Sequence, residues 1–185
     1  TPTETGTPTA TPTETSTPTQ TATPTETATI APPPGGVNIG PGDGSWEPIG
    51  NDTPLIIDMG ALLISTSGDG QYDMVYYERY NGPGIYLDCV ILELGNSVAG
   101  PWYQVFYWCN GVPDANTNVA GYTENDSEWI PEAALYHPSP PPQNGVTIDI
   151  DPFVPPGTYR YVRITSPGRQ DTDGGADFDA IGLYP

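Results

Sequence analysis

The segment Asp171-Thr-Asp173-Gly-Gly-Ala-Asp177-Phe-Asp179 sets four carboxylates at alternating or near-alternating positions around two glycines. A hard cation such as calcium takes about six to eight oxygens from flexible loops, and closely spaced carboxylates with backbone carbonyls supply them. Asp114-Ala-Asn116-Thr-Asn118 repeats a one-three-five spacing, without the glycine and closing glutamate of an EF-hand loop. Asp43, Asp69, Asp73 and Glu78 add further oxygens. The alternative for acidic loops in so acidic a chain is that they are simply solvated. Cysteine and histidine lack the spacing of a zinc site.

Catalytic chemistry finds less material. His137 is the sole histidine and sits in a proline-rich loop. No serine or free thiol stands beside a plausible base, so a nucleophilic triad has no parts. Carboxylate pairs of the kind that cleave glycosides arise here from composition alone. The expectation is that the chain is not an enzyme.

Hydroxyl chemistry is abundant. Threonine occupies every odd position of the N-terminal stretch: Thr1, Thr3, Thr5, Thr7, Thr9, Thr11, Thr13, Thr15, Thr17, Thr19, Thr21, Thr23, Thr25, Thr27 and Thr29. The even positions carry proline (Pro2, Pro8, Pro12, Pro18 and Pro24), glutamate (Glu4, Glu14 and Glu26) and small or polar residues. Thr/Pro-rich composition of this kind reads as an O-glycosylated stalk of an extracellular protein. β-Branched threonine and the restriction before each proline favour extended backbone, while proline removes the donors a sheet needs. Residues 1–36 are therefore expected to be an extended segment. Two sequons, at Asn51 and Asn125, also permit N-glycosylation.

Cys89 and Cys109 are the only cysteines. Tyr86–Leu94 and Trp102–Cys109 are the strongest strand signals, and Asn96–Pro101 between them is turn material. A hairpin centred on Ala99 places residue 89 opposite residue 109, within disulfide reach. A cross-strand disulfide is expected, the alternative being two buried thiols. A disulfide in turn implies an oxidising, extracellular compartment.

Residues 37–185 are long enough for one domain with a real core. Strand patterns also cover Leu55–Met59, Leu62–Ser65, Tyr72–Arg79, Val146–Ile150, Thr158–Thr165 and Phe178–Tyr184, with one short helical pattern at Ile130–Tyr136. Val146, Ile148 and Ile150 alternate with Thr147, Asp149 and Asp151, and Val162 and Ile164 with Arg163 and Thr165. Short strands joined by Gly, Pro, Asn and Asp loops predict an all-β, two-layer antiparallel β-sandwich of jelly-roll type. Asn110–Asn144 reads as a long crossing connection. Aromatic residues at Tyr76, Tyr77, Tyr80, Trp102, Tyr103, Tyr107, Trp108 and Trp129 fall on both strand faces, for core, sugar stacking or a subunit interface.

The formal charge is −19, and removing the three tail glutamates leaves −16 on the domain. Lysine is absent, and the cations are Arg79, Arg160, Arg163 and Arg169. Nucleic acid and anionic membrane both call for basic patches, so neither is an expected partner. No apolar run approaches the roughly 20 residues of a membrane-spanning helix. A threonine start without methionine suggests a processed chain or an excised segment.

The wording VNIGPGDGSWEPIG, PLIIDMG, GDGQYDMVYYERYNGPGIYLDCVILEL, WYQVFYW, NGVPDANTNV, GVTIDIDPFVPPGTYRYVRI and GADFDAIGLYP resembles secreted bacterial surface domains of Chloroflexi type. These jelly-roll domains follow Thr/Pro-rich linkers. The resemblance covers about residues 37–185. It implies that Asp43, Asp73, Glu78, Asp177 and Asp179 converge at one end of the sandwich as a calcium site.

Two functions are then expected. One is a secreted structural subunit that self-associates into a surface filament or layer. Its N-terminal thread would contact neighbours, chiefly through Ala28, Thr29, Ile30, Val37 and Ile39. The other is a calcium-dependent glycan-binding or adhesion module on a glycosylated stalk.

Overall fold

A computed structural model describes residues 38–138, 144–172 and 174–185. Among these, the strands are β1 (Asn38–Ile39), β2 (Glu47–Pro48), β3 (Leu55–Asp58), β4 (Ile64–Ser65), β5 (Met74–Glu78), β6 (Gly84–Leu87), β7 (Ile91–Gly95), β8 (Tyr103–Tyr107), β9 (Glu128–Pro131), β10 (Gly145–Ile148), β11 (Thr158–Tyr159), β12 (Tyr161–Thr165) and β13 (Asp177–Leu183). The fold is all-β and sandwich-like, with a single 3₁₀ turn at Glu132–Ala134 as the helical element among the described residues. The helical pattern expected at Ile130–Tyr136 is thus replaced by the end of β9 and that turn. Ile130 pairs with Ile85 instead of starting a helix, because pairing buries both side chains completely.

One sheet runs β1-β13-β5-β10, with β2 alongside β13, and another runs β3-β12-β7-β8. Two small ribbons, β6-β9 and β11-β4, complete the set. Pairing is antiparallel except for β1 on β13. In the second sheet Ile57, Val162 and Leu94 lie in register, as do Leu55, Ile164 and Leu92. These join Tyr76, Ile181 and Val146 of the first sheet in one contiguous apolar cluster. Tyr76 stacks on Phe178 with ring centres 5.8 Å apart and reaches Phe106 across the core at 6.5 Å. Burial on this scale, at about 25 cal/mol per Å² of apolar surface, is the main stabilising term.

The first sheet is covered on its other face too. Val75, Tyr77 and Ala180 form a small cluster there, with Tyr136 and Tyr184 against it. Every residue of β5 is therefore buried, and Thr147, expected to face outward, is buried as well. The β12 alternation holds as expected, with Val162 and Ile164 buried and Arg163 and Thr165 only partly so.

The expected strand Tyr86–Leu94 is two strands in different places. β6 pairs with β9, whereas β7 pairs with β12 and β8. The chain turns from one to the other at Asp88–Val90. Similarly, Thr158–Thr165 divides at Arg160 into β11 and β12. A run rich in aromatic and β-branched residues shows a preference for extended backbone, but not that its residues share a partner.

Candidate functional site

Cys89 and Cys109 form a disulfide, with Cα atoms 5.3 Å apart. The β7–β8 register pairs Ile91 with Tyr107. Stepping outward two residues on each strand brings 89 opposite 109, as the hairpin geometry predicts. Cys89 is fully buried, and Cys109 sits at a φ of 81° where the strand ends. Asp126 comes close to both sulfurs, but sulfurs joined to each other are not thiolate ligands.

The carboxylates expected at one end of the sandwich are distributed over separate places. Asp73 immediately precedes β5 and Glu78 ends it, so five residues of extended chain, about 16 Å, separate them. No single cation reaches both.

Asp179 on β13 is wholly buried and accepts the backbone N–H groups of Gly44 (2.9 Å) and Asp43 (3.3 Å). It clamps the β1–β2 loop to the sheet. Burial raises its carboxyl above the ordinary range, and the two amides act in opposition. Asp43 is engaged locally, accepting from the Ser45 amide at 2.8 Å.

Glu78 is also wholly buried, facing the Asp88 amide at 3.3 and 3.4 Å. Burial, and then the Asp88 charge, push its carboxyl well above the ordinary range. Asp88 accepts from Ser127 Oγ at 3.0 Å, and Asp177 pairs with Arg79 at 3.3 Å. Arg79 in turn lies over the Trp46 ring at 4.3 Å.

The third group best matches cation chemistry. Asp73, Asp149 and Asp151 bring one carboxylate oxygen each within 4.8 Å of the others. Asp73 Oδ2 accepts from the Ile150 amide (3.0 Å), and Asp149 Oδ1 accepts from the Asp151 amide (3.0 Å). Asp151 Oδ2 accepts from Gly68 N (2.6 Å) and Ser67 Oγ (3.2 Å), and Asp69 accepts from Ser67 Oγ at 2.8 Å. Asp151 Oδ1 is buried without a hydrogen-bond partner among the described residues. An orphaned buried carboxylate oxygen next to two other carboxylates is a donor set that fits calcium. Burial, opposed by the Ile150 and Ser67 hydrogen bonds, raises the Asp73 carboxyl, with the charges of Asp151 and Asp149 adding to the rise.

The remaining loop acids and amides serve the loops themselves. Asn116 Nδ2 donates to the carbonyls of Val105 and Asp149, both at 2.9 Å. Asn118 accepts from the Thr147 amide and donates to the Ala134 carbonyl, each at 2.9 Å. The one-three-five spacing from Asp114 therefore splints the long connection and does not make a ligand ring. Asp114 itself lies against Glu124, and burial followed by that charge pushes its carboxyl to about 7. Asp171 accepts from Gly174 N, Gly175 N and Ser166 Oγ. Asp173 lies outside the described residues. Lone His137 contacts Asn144 Oδ1 at 2.7 Å and Glu132 at 3.6 Å.

Among the aromatics singled out, Tyr76, Tyr77 and Trp108 belong to the interior, whereas Trp129 is exposed beside Tyr86. Thr1 to Thr29, Ala28, Ile30 and Val37 lie outside the described residues. Ile39 pairs with Ile181 and packs on the core, so its own domain already uses it. Asp149 and Asp151 are absent from the expected site residues, because strand alternation reads them only as an outward face. The available signal was an Asp-x-Asp closing that strand. No family model, curated protein or solved structure matches the chain.

Proposed function

We propose that the chain is an extracellular structural protein, a subunit of a cell-surface filament or surface layer. In this reading the thread contacts neighbouring subunits and carries O-glycans, and the sheets form a jelly-roll-like sandwich that serves as the rigid body. The observation that carries it is the unbroken run of threonine at every odd position from Thr1 to Thr29, joined to a disulfide-closed β domain. A mere spacer needs polarity, not strict alternation. Deleting residues 1–36 should abolish assembly, seen by negative-stain microscopy, while leaving the circular dichroism of the domain intact. Unaffected filaments would sink this reading.

The Asp73–Asp149–Asp151 group favours a second reading, calcium-dependent glycan binding or adhesion. Calcium at roughly 100 times its dissociation constant should stabilise the folded chain by about 2.7 kcal/mol. Asp151→Asn should remove most of that gain. A glycan array run with calcium and with chelator tests the adhesive part. Equal melting temperatures in both conditions would remove the cation from either reading.

A further inference from the structure

The disulfide has a companion that a cross-strand bond does not require. One carboxylate oxygen of Asp126 and the sulfurs of Cys89 and Cys109 all lie within 4.8 Å of one another. Asp126 Oδ2 is held by Thr172, which donates its amide at 2.8 Å and its hydroxyl at 2.7 Å. Asp126 Oδ1 is buried and has no hydrogen-bond partner among the described residues. A buried carboxylate oxygen without a donor is costly, so its position calls for a reason. The backbone around it is constrained as well, with Glu124 and Ser127 at φ values of 57° and 52°. Neither is glycine, and that region is disfavoured for both.

A neutral S–S bond offers this carboxylate neither a proton nor a cation. More acids surround the corner. Asp88 precedes Cys89 and accepts from Ser127 Oγ at 3.0 Å, and Glu128 accepts from the amides of Thr123 and Asn125, both at 3.0 Å. Glu124 is buried in the same loop. Three of the four arginines are committed elsewhere, Arg79 to Asp177, Arg160 to Asp58 and Arg163 to Glu93. Arg169 is exposed on the turn whose Gln170 side chain donates to the Cys109 carbonyl at 3.1 Å.

We propose that Asp126 guards the disulfide electrostatically, making it resistant to small thiols that carry carboxylates of their own, of the glutathione class. Exchange begins when a thiolate attacks one sulfur of the bond. The S–S bond breaks, a mixed disulfide forms, and the departing sulfur leaves as a thiolate that takes a proton from water. A second thiolate then releases the first as a disulfide, so two reductant thiols pass two electrons to the two cysteines. Cys109 is the sulfur open to attack, being partly exposed where Cys89 is fully buried. In the transition state one negative charge is spread over three sulfurs, and two of them lie beside Asp126. The carboxylate opposes that charge but leaves the intact, neutral bond almost unaffected. It therefore raises the barrier to exchange without weakening the bond.

A neutral phosphine makes the contrasting probe. It attacks without charge, breaks the S–S bond, and ends as phosphine oxide with an oxygen from water, leaving two thiols. Its phosphorus turns positive as the departing sulfur turns negative, so Asp126 has little net hold on that step. The resistance is independent of whether the chain builds filaments or binds glycans.

The test follows reduction of the full chain near neutral pH and low ionic strength, counting alkylated cysteines by mass spectrometry. The reductants are glutathione and tris(hydroxypropyl)phosphine. Asp126→Asn should speed reduction by glutathione about tenfold, a charge effect of this range under partial screening, and change the phosphine rate less than about twofold. The gap between chain and variant should narrow in about 1 M salt, where the screening length falls to about 3 Å. Glu132→Gln should change neither rate. It removes a charge beyond Pro131, at the end of the β6–β9 ribbon away from Leu87 and the disulfide. The ratio of the two rates within each variant separates charge from stability, because a loosened corner admits both reductants faster. Asp126→Ser, read by the same ratio, serves if Asp126→Asn does not fold. Equal acceleration with both reductants, or an unchanged ratio, would overturn the inference. Slower reduction of Asp126→Asn by glutathione would also overturn it, marking a carboxylate that passes a proton to the departing sulfur.

Discussion

Replacing Cys89 and Cys109 together by alanine lowers the melting temperature by roughly 6–12 °C. The disulfide closes a loop across a sequence separation of 20 residues. Chain-entropy loss for that length corresponds to about 3 kcal/mol. A domain of this size moves by roughly 2–4 °C per kcal/mol. Position strengthens the expectation. The bond ties the corner where the chain leaves the β6–β9 ribbon for the β7–β8 hairpin, and Cys89 is buried there. Without it, the positive φ at residue 109, disfavoured for any residue with a Cβ, is held only by core packing and the Gln170 side chain on its carbonyl. Thermal unfolding by circular dichroism of the double variant, and of the native chain in reductant, provides the check. A shift below about 2 °C in both would show that the corner is held by packing alone.

Acidification from pH 7.5 to about 5 stabilises the protein, contrary to the behaviour of a domain held by surface ion pairs. Asp73, Glu78, Asp114, Glu124 and Asp179 all have carboxyls raised by burial in the folded state. A carboxyl raised on folding binds its proton more tightly in the folded chain than in the unfolded one. Its stabilising contribution is complete below the unfolded value and is lost as pH rises through the folded value. For Asp114 that window runs from 3.8 to about 7. One group of this kind changes stability by at most about 1.4 kcal/mol per pH unit within its window. Asp58 works in the opposite sense, since its hydrogen bond to Arg160 lowers its carboxyl and that contribution is lost as pH falls. Stability should therefore peak in mild acid and decline on both sides. Melting curves in chelator from pH 3 to 8 test this, with Asp114→Asn expected to flatten the slope between pH 4 and 7. A melting temperature that climbs steadily towards pH 8 would contradict the buried-acid account. Mutual repulsion at a formal charge of −19 acts in the same direction, and Asp114→Asn separates the two because it removes only one charge.

Both predictions depend on features of unequal legibility. The hairpin that pairs the cysteines is local: two strong strand patterns, a turn between them, and a register counted outward from Ala99. The outcome is a bond where the count placed it. Alternation at Val162 and Ile164 was equally readable, since a period of two needs only immediate neighbours. The division of Tyr86–Leu94 was not. Whether Leu87 and Ile91 share a partner depends on β9 and β12, which lie some 40 and 70 residues further along and carry no mark of their destination in the β6–β7 stretch.

The carboxylates show the same boundary. Composition and spacing alone pointed to an acidic chain, a Thr/Pro thread, and an all-β domain whose two cysteines lie opposite each other in a hairpin. Only the tertiary structure decided that Asp179 clamps a loop, that Glu78 is shut inside the core, and that Asp73 meets Asp149 and Asp151. The physical reason is range. Backbone preference and side-chain alternation act over a few residues. The charge and burial that set a carboxylate's role come from groups that folding brings within about 5 Å from more than seventy residues away.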